Sequence, residues 1–141
     1  MLEEYKREFR EVLDHIQAEA AGALVEREMA QQELMKLMQR AHEGTVRDIE
    51  HEALDRRGDV VAELKFPRPT SDQPRLKNLH GWHYRLYAGA PTGRHSDYLV
   101  WSLAGRKPDA AKSKAWWSLQ DGHIDQAFNR FKQWIISRCG V

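Results

Sequence analysis

Apolar residues recur at helical spacing through the first forty positions of the chain. Residues 2–42 contain no proline and a single glycine, Gly22. Most apolar positions there lie three or four residues apart, which is the period of an amphipathic helix. The pattern predicts one long helix or two helices joined at residues 21–23, and it leaves both arrangements open. Gly22 costs about 1 kcal/mol relative to alanine inside a helix, which is too little to force a break.

A short helix is predicted next, over residues 45–57. Thr45 and Asp48 have the spacing of a helix-capping pair, and Gly58 suits the end of a helix. Strict alternation of apolar and polar residues then begins, and it predicts strands over residues 59–66, 82–88 and 97–103. Prolines and glycines break the pattern at residues 67–74, 89–93 and 105–108, where we expect loops and turns.

The last predicted element is a helix from His123 to about Arg138, with Asp121 as its cap. Its apolar stripe consists of Ile124, Ala127, Phe128, Phe131, Trp134 and Ile135. Residues 109–120 fit a helix or a strand equally well. The whole pattern predicts an α+β fold, in which N-terminal helices pack with a small twisted antiparallel sheet of three to four strands and a C-terminal helix.

Charge divides the 141 residues into two unlike segments. Residues 1–58 contain 9 Lys and Arg against 14 Asp and Glu, whereas residues 59–141 contain 13 against 7 and hold all five tryptophans. We therefore distinguish an acidic helical segment, 1–58, from a basic α/β segment, 59–141, and we expect the two to form one compact domain.

Composition excludes several classes of protein. The single cysteine, Cys139, excludes an internal disulfide framework and any multi-cysteine zinc site. No apolar run approaches a membrane span, and the charged N-terminus is unlike a secretory signal, so we expect a cytoplasmic protein without a membrane partner. Nucleotide-binding, hydrolase and metalloprotease motifs are absent, and we expect neither a cofactor nor a metal.

One strand carries the most informative side chains. Alternation places His83, Arg85 and Tyr87 on the same face of the strand at 82–88. They supply a candidate acid or base, a phosphate-binding cation and a stacking or hydrogen-bonding ring. Those groups suffice for RNA cleavage without a metal, because a base can activate the ribose 2′-hydroxyl and a cation can stabilise the charged phosphorane. The alternative is an ordinary solvated face of an antiparallel sheet.

Basic residues flank the same strands. Their interleaving with aromatic residues suits single-stranded RNA, because cations neutralise phosphates and rings stack on bases. The candidate RNA-binding residues are Lys77, Arg94, Arg106 and Lys107.

These segments resemble the RelE/HigB-like toxin family and its phage-derived relatives. Residues 76–87 are similar to that family's arginine-bearing strand. Residues 98–108 are similar to its last hydrophobic strand and the basic stretch that follows, and residues 121–134 are similar to its closing helix. The resemblance covers about residues 59–137. It matches Arg85 to the strand arginine, Lys77 to the upstream basic position, and Arg106 or Lys107 to the late one.

The resemblance implies a metal-independent endoribonuclease that acts on messenger RNA, often on the ribosome, and that an antitoxin neutralises. A degenerate relative without activity is left open. His83 and Tyr87 match no family position and are proposed on chemistry alone.

A non-enzymatic function is the second hypothesis. A phage or mobile-element protein could bind a host protein through its helices and exposed aromatic residues. The candidate contact residues are Met35, Met38, Trp116 and Trp117. A homodimer through the N-terminal helices is also left open.

Overall fold

The computed structural model describes residues 2–20, 22, 24–45, 51–56, 59–66, 82–91, 99–108 and 114–139. The chain forms helices α1 (Glu3–Glu19) and α2 (Leu24–Glu43), strands β1 (His51–Arg56), β2 (Asp59–Phe66), β3 (Trp82–Ala90) and β4 (Val100–Pro108), and helix α3 (Lys114–Cys139). This order confirms the predicted α+β arrangement of N-terminal helices, antiparallel sheet and C-terminal helix.

The N-terminal helices form two elements, so the arrangement with a break is the correct one. Gly22 has a φ of 81°, a backbone conformation that side-chain-bearing residues rarely adopt, and it separates α1 from α2. The break lets the two helices pack against each other through their apolar stripes. The buried residues of those stripes are Tyr5, Val12, Leu13 and Ile16 on α1, and Ala30, Leu34, Leu37 and Met38 on α2.

The four strands form an antiparallel sheet in the order β1-β2-β3-β4. The predicted helix over residues 45–57 is wrong at its C-terminal half, because His51–Arg56 is a strand that pairs with β2 from His51 opposite Leu64 to Arg56 opposite Asp59. Residues 46–50 lie outside the described residues. The first segment of the chain is therefore not wholly helical, and its last strand completes the sheet of the second segment.

Helices cover both faces of the sheet. Leu64, Leu86 and Trp101 belong to the apolar cluster that includes the buried residues of α1 and α2. Val61, Tyr87 and Leu103 belong to the cluster formed with α3. Since neighbouring strand residues point to opposite faces, α1 and α2 lie on one face and α3 on the other. We call these the hairpin face and the α3 face.

Three other boundaries differ from the predicted ones. Strand β3 continues through Gly89 to Ala90, into the predicted turn. Strand β4 begins at Val100 and continues through the predicted turn at Gly105 to Pro108, because β3 supplies its hydrogen-bonding partners, while residues 97 and 98 of the predicted strand lie outside the described residues. Helix α3 begins at Lys114 rather than His123, and its predicted apolar stripe is confirmed. Among the described helices, none has the length and apolarity needed to cross a membrane.

Candidate functional site

The α3 face of β3 carries the three side chains that the sequence singled out. Register places Arg85 opposite Lys65 on β2 and opposite Gly105 on β4, while Tyr87 lies opposite Glu63. Alternation along the strand puts His83 on the same face, about 6.6 Å from Arg85 between Cα atoms. The predicted grouping of His83, Arg85 and Tyr87 is thus present.

Tyr87 does not lie on an open surface, and in this respect the prediction is wrong. Its side chain is fully buried beneath α3, and its hydroxyl donates a 2.8 Å hydrogen bond to Oε2 of Glu63. Burial, together with the Glu63 carboxylate, raises the pKa of Tyr87 far above its ordinary value. The phenol therefore stays protonated, and it acts as a fixed donor to Glu63 rather than as a base.

Glu63 is the buried anion of this region. Only 1% of its side chain is exposed, and Oε1 lies 3.8 Å from Nε of Arg85. A buried carboxylate is costly unless a cation and hydrogen-bond donors surround it, and Arg85 and Tyr87 supply both. Glu63 was not among the predicted site residues, because alternation alone places it on the polar face of a strand and gives no sign that a helix covers that face.

Arg85 is held on two sides. Its Nη1 donates a 3.0 Å hydrogen bond to the carbonyl oxygen of Tyr84, and its Nε faces Glu63. Burial lowers the pKa of the Arg85 guanidinium, but Glu63, Tyr87 and Glu52 oppose that shift, and a guanidinium remains charged at neutral pH in any case. About 11% of the side chain is exposed. This arrangement fixes a cation at a part of the sheet that solvent still reaches.

His123 joins the site from α3. A Cβ atom added to Gly105 would lie 2.9 Å from Cε1 of His123, so the imidazole ring packs directly on the glycine backbone. Gly105 is the β4 partner of Arg85, so the ring lies over the strand position that neighbours Arg85 on the α3 face. His83 and His123 are both half-buried. His123 was not among the predicted site residues, and its one signal in the sequence is a histidine close to a glycine at the start of a predicted helix.

Lys65 and Glu52 form the outer part of the site on the neighbouring strands. Their charged groups lie 3.8 Å apart, and both side chains are at least one-third exposed. A surface ion pair of this kind contributes little to stability, so Lys65 can exchange its partner for another anion at small cost. We call His83, Arg85, His123 and Lys65, with Glu63 and Tyr87 beneath them, the polar cluster.

Arg106 lies apart from this cluster. It pairs with Tyr84, which belongs to the hairpin face, and its side chain is exposed there. Lys107 is the β4 partner of His83, and its side chain lies outside the described part of the chain. Lys77 and Arg94 also fall outside the described residues. Of the four predicted RNA-binding residues, the structure thus locates one side chain, on the opposite face from Arg85.

The hairpin face has a polar group of its own. Nδ1 of His15 lies 2.8 Å from the hydroxyl of Tyr84, and Nε2 lies 3.6 Å from Oε1 of Glu19. Burial lowers the pKa of His15, the positive charge of Arg106 lowers it further, and Glu19 opposes both. Tyr84 itself is fully buried. This arrangement links α1 to the sheet and offers no accessible reacting group comparable to the polar cluster.

The candidate protein-contact residues have different environments. Met35 on α2 is 51% exposed, so its side chain is accessible to another molecule. Met38 is only 6% exposed and accepts a hydrogen bond from the Tyr5 hydroxyl at 3.4 Å, so its assignment to the surface is wrong: its side chain closes the α1–α2 core. Trp116 and Trp117 belong to α3, and their side chains lie outside the description.

No group of three or more His, Cys, Asp or Glu side chains within the described ranges is placed to hold a metal ion. Comparisons with known proteins found no match among family models, curated proteins or solved structures.

Proposed function

We propose that this chain is a metal-independent endoribonuclease of the RelE/HigB-like toxin type, and that the polar cluster is its catalytic site. The observation that carries the proposal is that two half-buried imidazoles lie at strand positions neighbouring Arg85: His83 is two residues before it on the same face of β3, and His123 packs on Gly105, the β4 partner of Arg85. Histidine is the side chain best suited to exchange protons near neutral pH.

The reaction needs three groups. One imidazole takes the proton of a ribose 2′-hydroxyl as its oxygen attacks the adjacent phosphorus. The other imidazole, in its protonated form, gives a proton to the 5′-oxygen as the phosphorus–oxygen bond breaks. The products are a 2′,3′-cyclic phosphate and a free 5′-hydroxyl, and the proton count balances. The assignment of base and acid between His83 and His123 is left open.

The cations supply the remaining part of the chemistry. Charge develops on the non-bridging oxygens of the phosphorane, and Arg85 together with Lys65 can stabilise it electrostatically. Glu63 and Tyr87 hold the guanidinium in place from below. The same proposal includes a cytoplasmic location, single-stranded RNA or the ribosome as the target, and neutralisation by an antitoxin.

The test uses purified full-length protein and short single-stranded RNA in EDTA. We expect cleavage that yields a cyclic phosphate, and no cleavage where a 2′-deoxyribose replaces the ribose at the scissile position. His83→Gln and His123→Gln should each reduce the rate by about 100-fold or more, the usual contribution of general acid–base catalysis. His15→Gln is the matched control, because it removes an imidazole from the opposite face of the sheet. Equal cleavage by all four proteins would contradict the proposal.

A second function, non-enzymatic protein binding through the helical hairpin α1–α2, is favoured by a separate observation. Of the four large hydrophobic side chains that the described residues expose, three lie on α2: Leu24, Val25 and Met35. A groove beside Met35 runs between the helices and is lined by Tyr5, Phe9 and Met38. Exposed apolar surface of this kind marks binding surfaces. Met35→Asp should abolish partner binding, whether host protein or antitoxin, while RNA cleavage stays at the wild-type rate.

A further inference from the structure

The outward stripe of α2 is exposed along almost its whole length. Its residues recur at intervals of one, three or four positions and share one side of the helix. They are Leu24, Val25, Glu28, Gln32, Met35 and Lys36, and every one of them is exposed. Two of these six residues are charged, whereas the exposed surface of a helix is ordinarily rich in charge. Met35 borders the groove between α1 and α2, and Lys36 forms an exposed 3.8 Å ion pair with Glu33 of its own helix, a contact of the kind that is exchanged at little cost.

The two charges of the stripe are arranged symmetrically. Glu28 lies four residues before Gln32, and Lys36 lies four residues after it. A second copy of α2 laid antiparallel across the first, with a twofold axis at Gln32, therefore places Glu28 of each copy opposite Lys36 of the other. The same operation places Met35 opposite Met29, which is half-buried at the border of the stripe, and Val25 opposite Gln39, which is exposed one turn beyond its end. An isologous contact requires this reciprocity, because the same patch supplies both sides.

We propose that the chain forms a homodimer through α2, with the two helices antiparallel and Gln32 at the twofold axis. The inference deepens the second of the two functions above by naming the occupant of the hairpin surface, and it is independent of RNA cleavage. Charge complementarity is the argument for a second copy, because a surface with one Glu and one Lys equidistant from its centre complements itself.

The expected dimer is weak and depends on concentration. The contact from Val25 to Gln39 is about 21 Å long at 1.5 Å per residue. One helical stripe of that length buries less area than the roughly 800 Å² per partner of a stable interface. The apolar centre supplied by Met29 and Met35 and the two reciprocal ion pairs set the register. Parallel pairing of the same helices would bring like charges together at both positions.

The first test measures register through a disulfide. In a Cys139→Ser background, Gln32→Cys places two thiols at the twofold axis. We expect mild oxidation of the concentrated protein to link most of the chains as dimers of twice 16.5 kDa. Glu11→Cys, an exposed position on α1, is the matched control and should stay monomeric. Failure of the thiol at position 32 to cross-link, or equal cross-linking from position 11, would overturn the proposed register.

The second test reverses charge. Glu28→Lys and Lys36→Glu should each weaken dimerisation by about tenfold, as measured by sedimentation equilibrium, because each creates two facing like-charge pairs. The double variant restores both pairs and should recover the wild-type affinity. A monomer at every concentration overturns the proposal and leaves the surface to another protein. A dimer whose affinity neither single reversal changes also overturns it. RNA cleavage, measured on the same samples, reports on the polar cluster alone.

Discussion

Glu8 of α1 and Arg130 of α3 meet around the outer edge of β4, although their helices lie on opposite faces of the sheet. Arg130 Nη1 lies 2.6 Å from Glu8 Oε1, and Nη2 lies 3.1 Å from Oε2, so the pair is bidentate. Glu8 accepts a hydrogen bond from the Ala104 amide at 3.3 Å, and Arg130 donates one to the Ser102 carbonyl at 2.8 Å. The ion pair thus binds backbone groups that a neighbouring strand would otherwise take.

This contact occurs where β4 is irregular. The β3–β4 register shifts between Tyr87 and Ala88, and Ser102 has no partner in it. The backbone amide of Leu2 donates to the Trp101 carbonyl beside the same bulge. Exposed strand edges promote pairing with other chains, and proteins commonly protect them with charge or with covering elements. Glu8 and Arg130 protect this edge and also connect the two helical layers.

We expect Glu8→Ala to destabilise the fold by about 3 kcal/mol, because it leaves the mostly buried Arg130 charge and the Ala104 amide without their partner. Arg130→Met should cost less stability than Glu8→Ala, because the methionine side chain can still fill most of the space that the arginine occupies. The double variant should lose much less free energy of unfolding than the sum of the two single losses. Urea unfolding of the three variants gives the coupling energy. Additive costs would show that the two side chains act independently.

Gly89, on the α3 face of the sheet, and Gly122, in helix α3 itself, are expected to respond to alanine in opposite ways. A Cβ atom at Gly89 would overlap the ring of Phe131, whereas one at Gly122, in the exposed part of α3, would meet nothing within 4 Å. Gly89→Ala should therefore destabilise the protein by about 2 kcal/mol through overpacking, while Gly122→Ala should stabilise it by up to about 1 kcal/mol through helix propensity. Thermal unfolding of both variants checks the opposite signs.

Gly105 tests the polar cluster without changing any of its charged residues. Because a Cβ atom there would lie 2.9 Å from the His123 ring, Gly105→Ala should displace the imidazole from its place over the β4 partner of Arg85. We expect RNA cleavage to fall at least as far as in His123→Gln, with a smaller loss of stability than Gly89→Ala causes. A variant that cleaves RNA at the wild-type rate would argue against a catalytic position for His123.

Periodicity predicted much of this fold, and the physical reason is visible in particular elements. The stripes of α1, α2 and α3 and the alternation of β2 and β3 are strong local signals, and all five elements are present. Strand β1 was missed because its residues, including Glu52, Ala53 and Leu54, favour helices when considered alone. Its conformation is determined by pairing with β2. Such pairing is a tertiary interaction, and the propensities of the individual residues do not predict it.

The candidate site was predictable only in part, for the same reason. Strand alternation placed His83, Arg85 and Tyr87 on one face, and the contacts that Arg85 and Tyr87 both make with Glu63 agree with that placement. The sequence could not show that α3 buries Tyr87 on that face. Nor could it place His123 over Gly105, the strand neighbour of Arg85, because only the packing of α3 on the sheet brings these residues together.

His15 should make stability depend on pH in the weakly acidic range. Its imidazole accepts or donates the bond to Tyr84 while neutral, and burial followed by the Arg106 charge lowers its pKa in the folded protein. Below the unfolded-state pKa of about 6.5, the unfolded chain therefore binds this proton more readily than the folded one, and the free energy of unfolding falls as the pH decreases. The contribution of one such group is at most about 1.4 kcal/mol per pH unit.

His15→Gln removes that group and keeps a polar side chain of similar reach. Urea unfolding of wild type and variant should give parallel free-energy curves between pH 7.5 and 9, where neither state takes up the proton. From about pH 6.5 downward the wild-type curve should fall more steeply than that of the variant, so that the difference between the two narrows or reverses. Curves that stay parallel down to pH 5 would mean that burial at the α1–sheet contact does not disfavour the imidazolium.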